Sequence, residues 1–154
     1  MITSDNEIKD LIQQHQAIQA HMKFLMKALS PLSMQSNQGI EQSTQLKDRI
    51  VLYRWSLYDF REAIQRQVEL DNQIFLGSSS IEEILREHQT IRDQIDIVIG
   101  LAENTVFNEM SQEELNICSL KIIEAVNKIC KSIEQHIAKE DKLLGQRLNT
   151  HVFL

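Results

Sequence analysis

The sequence predicts an all-α chain folded as an up-down-up-down four-helix bundle. Three observations carry that expectation. One proline and four glycines in 154 residues leave few places to turn, whereas a β protein of this size needs many turn residues. Apolar residues recur at alternating steps of three and four over long stretches, the signature of helices with one buried face. Polar breaks separate four such stretches. The length suits one domain around one core, spanning 1–154 as two helical hairpins, about 4–76 and 80–147.

The first helix is expected to open after Ser4, where Asp5 and Glu7 favour the positive end of the helix dipole. Its stripe reads Ile8, Leu11, His15, Ile18, Met22, Leu25, Leu29. Pro31 is predicted to end it, and the polar stretch from Ser30 to Ser43, with Gly39 inside, reads as a loop. The second helix is predicted from about Thr44 to Phe75, with Leu46, Ile50, Tyr53, Leu57, Phe60, Ile64, Gln67, Asp71 and Ile74 on its seam. Gly77 and the serines after it form the next break. Ser80 with Glu83 is a capping box that opens the third helix, whose seam is Ile84, His88, Ile91, Ile95, Val98 and Ala102. Ser111 with Glu114 opens the fourth in the same way. Its seam runs Leu115, Ser119, Ile122, Val126, Ile129, Ile133, His136, Glu140, Leu143, with an end expected near Arg147.

The polar residues that interrupt these seams are few: His15, Gln67, Asp71, His88, His136 and Glu140. Imidazoles and carboxylates in a dry core are costly unless hydrogen-bonded or coordinated. They also repeat. His15-Gln16-Ala17-Ile18 parallels His88-Gln89-Thr90-Ile91, and Ile64, Gln67, Val68, Asp71, Ile74 fall in step with Ile133, His136, Ile137, Glu140, Leu143. In an up-down-up-down bundle the starts of helices 1 and 3 lie level with the ends of helices 2 and 4. His15 and His88 lie about eight to ten residues in, and Gln67 and His136 about nine to eleven from the end. At ~1.5 Å per residue these depths agree to within one turn. The six residues are expected to form one layer.

Residues four apart share a helix face, so His136 and Glu140 offer an imidazole and a carboxylate to the same small volume. Carboxylates can bridge two cations, and imidazole suits iron, zinc and copper. The Glu-x-x-His pairs of ferritin-type di-iron bundles are absent. A single histidine on an apolar stripe is ordinarily a satisfied core residue. Three of them at one depth with two acids favour a metal site instead.

On these residues the chain resembles the hemerythrin-like, or HHE cation-binding, family, whose pattern is His, then His-x-x-x-Glu, repeated over two hairpins. The resemblance runs from His15 to Glu140. His15 and His88 match the first- and third-helix ligands, and His136-Ile-Ala-Lys-Glu140 is an intact pair. Gln67-Val-Glu-Leu-Asp71 departs from the pattern, with Asp71 for the bridging glutamate and Gln67 where the family has histidine. The resemblance implies non-haem iron, with His88 and His136 on one ion, His15 and Gln67 facing the other, and Asp71 and Glu140 bridging. Gln67 leaves open two irons, one metal or none. Asp141 is a second candidate acid that turns further off the seam.

The family's activities imply a small ligand such as dioxygen or nitric oxide, with binding, redox sensing or iron handling as the role. No catalytic residue is assigned. Two other classes stay open: a di-iron enzyme activating dioxygen or peroxide, and a metal-poor bundle acting as a protein-interaction module. The net charge of −6 and the lack of a dense Lys/Arg cluster argue against nucleic acid. No apolar run reaches membrane-spanning length, and the opening MITSDNEIKD is acidic, so a cytoplasmic protein is expected.

The remaining candidates read as ordinary structure. Cys118 and Cys130, twelve residues apart on one helix, are separated by roughly 18 Å, too far for a disulfide. They are expected to be free thiols. His21 and His151 are expected outside the layer, Tyr53 and Tyr58 in packing roles, and Glu62, Glu69 and Glu87 on solvated faces.

Overall fold

The computed structural model describes residues 5–33, 40–77, 79 and 81–153. Four helices make up the described residues, α1 Asp5–Ser33, α2 Ile40–Phe75, α3 Ile81–Phe107 and α4 Gln112–Phe153. They pack as a four-helix bundle. α1 and α3 each lie against both α2 and α4, which also touch across the short diagonal. The contacts of α2 with α3 and of α3 with α4 pair residues in opposite chain order. Along α2 and α3 the partners are Tyr58 with Glu103, Arg61 with Asp96 and Asp71 with His88. Along α3 and α4 they are Leu101 with Cys118, Glu87 with His136 and Glu83 with Lys139.

The helix starts and stops follow local chemistry. At the start of α4, Ser111 Oγ accepts from the Glu114 N–H at 3.1 Å, while Glu114 Oε1 accepts from the Ser111 N–H at 3.4 Å. This is the expected reciprocal cap. Acidic residues fill the first turns of α3 (Glu82, Glu83) and α4 (Glu113, Glu114), where the dipole favours them. α2 ends at Phe75, and Gly77 turns the chain with φ +82°, a conformation open to glycine at little cost.

Three boundaries differ from those read in the sequence. α1 continues through Pro31 to Ser33, because a proline removes one backbone donor and limits a helix within a turn without stopping it on the spot. α2 starts at Ile40 and not Thr44, directly after Gly39 and with Glu41 in its first turn. α4 runs past Arg147 to Phe153, since no glycine or proline follows Gly145. The expected Ser4 cap, the Ser80 half of the third helix's capping box, positions 34–39 of the expected loop and the His151 side chain fall outside the described residues.

Nearly every seam residue is buried. The exception is at the end of α4, where Leu143 is half-buried and Leu144 takes the core position. His136, Glu140 and Leu144 follow one another in steps of four along a single ridge. The apolar core divides in two. A large cluster runs from Ile18 on α1, through Leu46–Val68 on α2 and Ile91–Ala102 on α3, to Leu115–Ile137 on α4. A small one, Ile8, Leu11, Ile74, Phe75, Ile84 and Leu144, closes one end of the bundle. The polar layer lies between them. Both cysteines are buried and free. No helix among the described residues is long and apolar enough to cross a membrane.

Candidate metal centre

α1 contributes His15 to the layer, α2 Gln67 and Asp71, α3 His88, and α4 His136 and Glu140. All six are buried, Asp71 and Glu140 completely. The layer predicted from helical depth therefore forms.

At its centre, one ligand atom each from Asp71, His88, His136 and Glu140 lies within 4.8 Å of the others. His88 Nε2 stands 2.7 Å from Asp71 Oδ2 and 3.1 Å from His136 Nε2. His136 Nε2 lies 3.6 Å from the same Asp71 oxygen and in contact with Glu140 Oε1, which is 3.6 Å from His88 Nε2. Two imidazole nitrogens that face each other can share only one proton. Ligands at right angles around one metal, with bonds near 2.1 Å, would stand about 3.0 Å apart. The spacing of the two rings suits that arrangement, and the four residues could hold a metal ion.

The other faces of two rings are held from outside. His136 Nδ1 donates to Glu87 Oε2 at 2.5 Å. Lys139 Nζ in turn binds Glu87 Oε1 at 2.9 Å and also reaches Glu83. His15 Nδ1 donates to Asp141 Oδ1 at 2.6 Å, and its Nε2 lies 3.0 Å from Glu140 Oε2. A carboxylate on Nδ1 fixes the tautomer and leaves Nε2 for the cluster. Gln67 Oε1, Asp71 Oδ1 and His88 Nδ1 are buried here without a hydrogen-bond partner. An orphaned buried acceptor is costly, and a cation would satisfy several at once.

The electrostatics follow from crowding two acids and three imidazoles in a dry space. Burial alone would lower the histidines, but their carboxylate partners outweigh it. His136 is pushed up to about 10 by Asp71, Glu140 and Glu87. His15 is raised by Glu140 and Asp141, and His88 by Asp71 and Glu140. Burial, with Glu140 beside it, raises Asp71. Burial opposes ionisation of Glu140, yet its three imidazole neighbours hold it well below the usual carboxylate range. The raised histidines and the raised Asp71 both favour proton uptake by the cluster.

One sequence expectation changes and two are refined. Glu87, expected on a solvated face, is half-buried and bound to His136. Its spacing of three from Ile84 and four from Ile91 puts it on the flank of the stripe, and that was the available signal. Asp141 is 44% exposed at its side chain and accepts from His15 Nδ1 at 2.6 Å on the outer face of the layer. Gln67, expected to face the same ion as His15, lines with His88 and His136 a cavity of about 10 Å³ to which α1 contributes nothing.

Other residues sit where expected. His21 is exposed, and so are Glu62 and Glu69. Tyr53 is buried in the large apolar cluster and donates to the Leu25 carbonyl at 3.1 Å, while Tyr58 bonds Glu103. No family model matches this chain, and no curated protein or solved structure matches it either.

Proposed function

We propose that this bundle is a non-haem iron-binding protein of hemerythrin-like type, with a di-iron centre that binds or senses a small ligand such as dioxygen or nitric oxide. The observation that carries the reading is the pair of buried imidazole nitrogens 3.1 Å apart with Asp71 2.7 Å away. Two histidines and two carboxylates that can bridge to a second ion are donors that suit non-haem iron.

His88, His136, Asp71 and Glu140 would hold one ion. Glu140 Oε2, 3.0 Å from His15 Nε2, and Asp71 Oδ1, which has no hydrogen-bond partner, are the carboxylate oxygens left over for a second ion. Bound iron would supply an open coordination position and a change of oxidation state. The protein excludes water with the apolar clusters on either side and fixes the rings through Glu87 and Asp141. A small ligand is favoured by the cavity beside His88 and His136. Its walls include Ile64, Val68, Ile91 and Ile133, and at about 10 Å³ it is at the lower limit for one water-sized molecule.

Elemental analysis of freshly purified protein, with optical spectra before and after air exposure, tests this. Iron should co-purify or load anaerobically, and a visible band should appear in air. His88→Ala with His136→Ala should abolish both. Protein that retains no iron through desalting after anaerobic loading would sink the reading.

A further inference from the structure

Resting on that small-ligand reading, we infer that ligands reach the centre through the groove between α3 and α4, and that Ile91 is the residue that selects them by size.

Two cavities meet at this point. The outer one is an open groove of about 430 Å³, lined on α3 by Glu83, Glu87, Thr90 and Ile91 and on α4 by Ser132 and His136. The inner one is the cavity of about 10 Å³ beside His88 and His136, with Ile64, Val68, Ile91 and Ile133 in its walls. Ile91 and His136 line both. They form the partition between the groove and the imidazoles of the candidate metal centre. Grooves on other faces of the bundle lack this connection. One holds Met22, Met26 and Cys130 between α1 and α4, another holds His21, Phe24 and Asp59 between α1 and α2, and neither shares a wall with the inner cavity.

The two partition residues are not equally free to move. His136 Nδ1 is bonded to Glu87 Oε2 at 2.5 Å, and its Nε2 faces His88, Asp71 and Glu140, so turning the ring would break contacts on both sides. Ile91 is buried in the large apolar cluster and its side chain is held by packing alone. A β-branched side chain on a helix keeps essentially one χ1 rotamer, so Ile91 closes the passage until the packing of α3 against α4 loosens locally. The least costly opening is therefore at Ile91. Beyond it, Ile64, Val68 and Ile133 offer a charged ligand nothing in exchange for its water. The class admitted is small and uncharged.

The test is the rate at which anaerobically Fe²⁺-loaded protein binds nitric oxide, followed by stopped-flow absorbance. Association that waits on an opening is slow, so Ile91→Ala should speed it about fivefold or more, and Ile91→Phe should slow it by a similar factor. Ile91→Val, a smaller change to the core, should give a smaller rise in the same direction. Met26→Ala, in the groove between α1 and α4, should leave the rate within about twofold. tert-Butyl isocyanide should bind the Ile91→Ala protein and not the wild type. A metal-free measurement checks the route separately. The thiol of Ile91→Cys should react with methyl methanethiosulfonate about tenfold faster than that of Ile133→Cys, which lines the inner cavity and not the groove. Peptide mass spectrometry separates both from the buried Cys118 and Cys130. Association rates that do not follow the size of the side chain at position 91, or equal labelling at the two positions, would overturn the route alone. Iron-loaded wild type that binds neither nitric oxide nor dioxygen would overturn the small-ligand reading and the route with it.

Discussion

Glu87 shows how much a single side chain contributes once its neighbours are known. On its own helix it is one acidic residue among several. In the bundle it accepts the Nδ1–H of His136 at 2.5 Å and a bond from Lys139 at 2.9 Å. Burial works against its ionisation, but His136 and Lys139 outweigh it and hold its carboxyl below the usual range. An anionic acceptor on Nδ1 fixes the ring's rotation and makes Nε2 a better donor to a metal. Glu87→Ala should therefore lower metal affinity by about 10- to 100-fold, and Glu87→Gln, which retains an acceptor without the charge, should lower it less. Chelator-competition titrations measure both. Equal affinities in all three proteins would show that Glu87 does not position the ring.

At the scale of the element, α4 carries most of the site and shows where periodicity stops being enough. Steps of three and four place Leu115 through Ile133 correctly on the buried face. Past His136, alternation predicts Leu143, but the ridge keeps its step of four and Leu144 fills the small apolar cluster instead. Leu144→Ala should cost about 2–5 kcal/mol, as expected for truncation of a fully buried leucine. Leu143→Ala, at a half-buried position, should cost about 1 kcal/mol or less. Urea unfolding of the metal-free protein distinguishes them, and equal costs would put the core boundary elsewhere. The capping box at Ser111 and the turn at Gly77 were legible because each rests on local backbone chemistry. The true ends of α1 and α4 were not, because stop signals limit a helix only to within about a turn.

For the whole molecule, the main feature is a charged layer sealed between two apolar clusters. Folded without metal, this layer favours proton uptake. His136 is raised from an ordinary value near 6.5 to about 10. Its contribution to stability is therefore fully present below pH 6.5 and is lost as pH rises toward 10. Glu140 has the opposite sign, contributing above about pH 4.5 and losing that contribution on acidification. Metal-free protein should accordingly melt at progressively lower temperature from about pH 6.5 upward. A bound divalent cation replaces those protons, so the rise in melting temperature that it produces should grow over the same interval. Melts with and without Co²⁺, an air-stable probe, at about pH 6.5 and pH 8 measure this. A metal-induced shift that does not change with pH would mean that no ring proton is displaced.

The sequence by itself determined the four helices, their buried faces and the depth at which His15, Gln67, Asp71, His88, His136 and Glu140 meet. Each of these follows from spacing along one helix, which fixes a residue's height and angle about its own axis. Only the tertiary structure decided which atoms face which. It set Glu87 on His136 and Asp141 on His15, placed Gln67 in one cavity with His88 and His136, and chose Leu144 over Leu143. Those outcomes depend on how far neighbouring helices are rotated against each other and which rotamers the packed side chains adopt. Both are properties of helix pairs, and no single helix's pattern contains them.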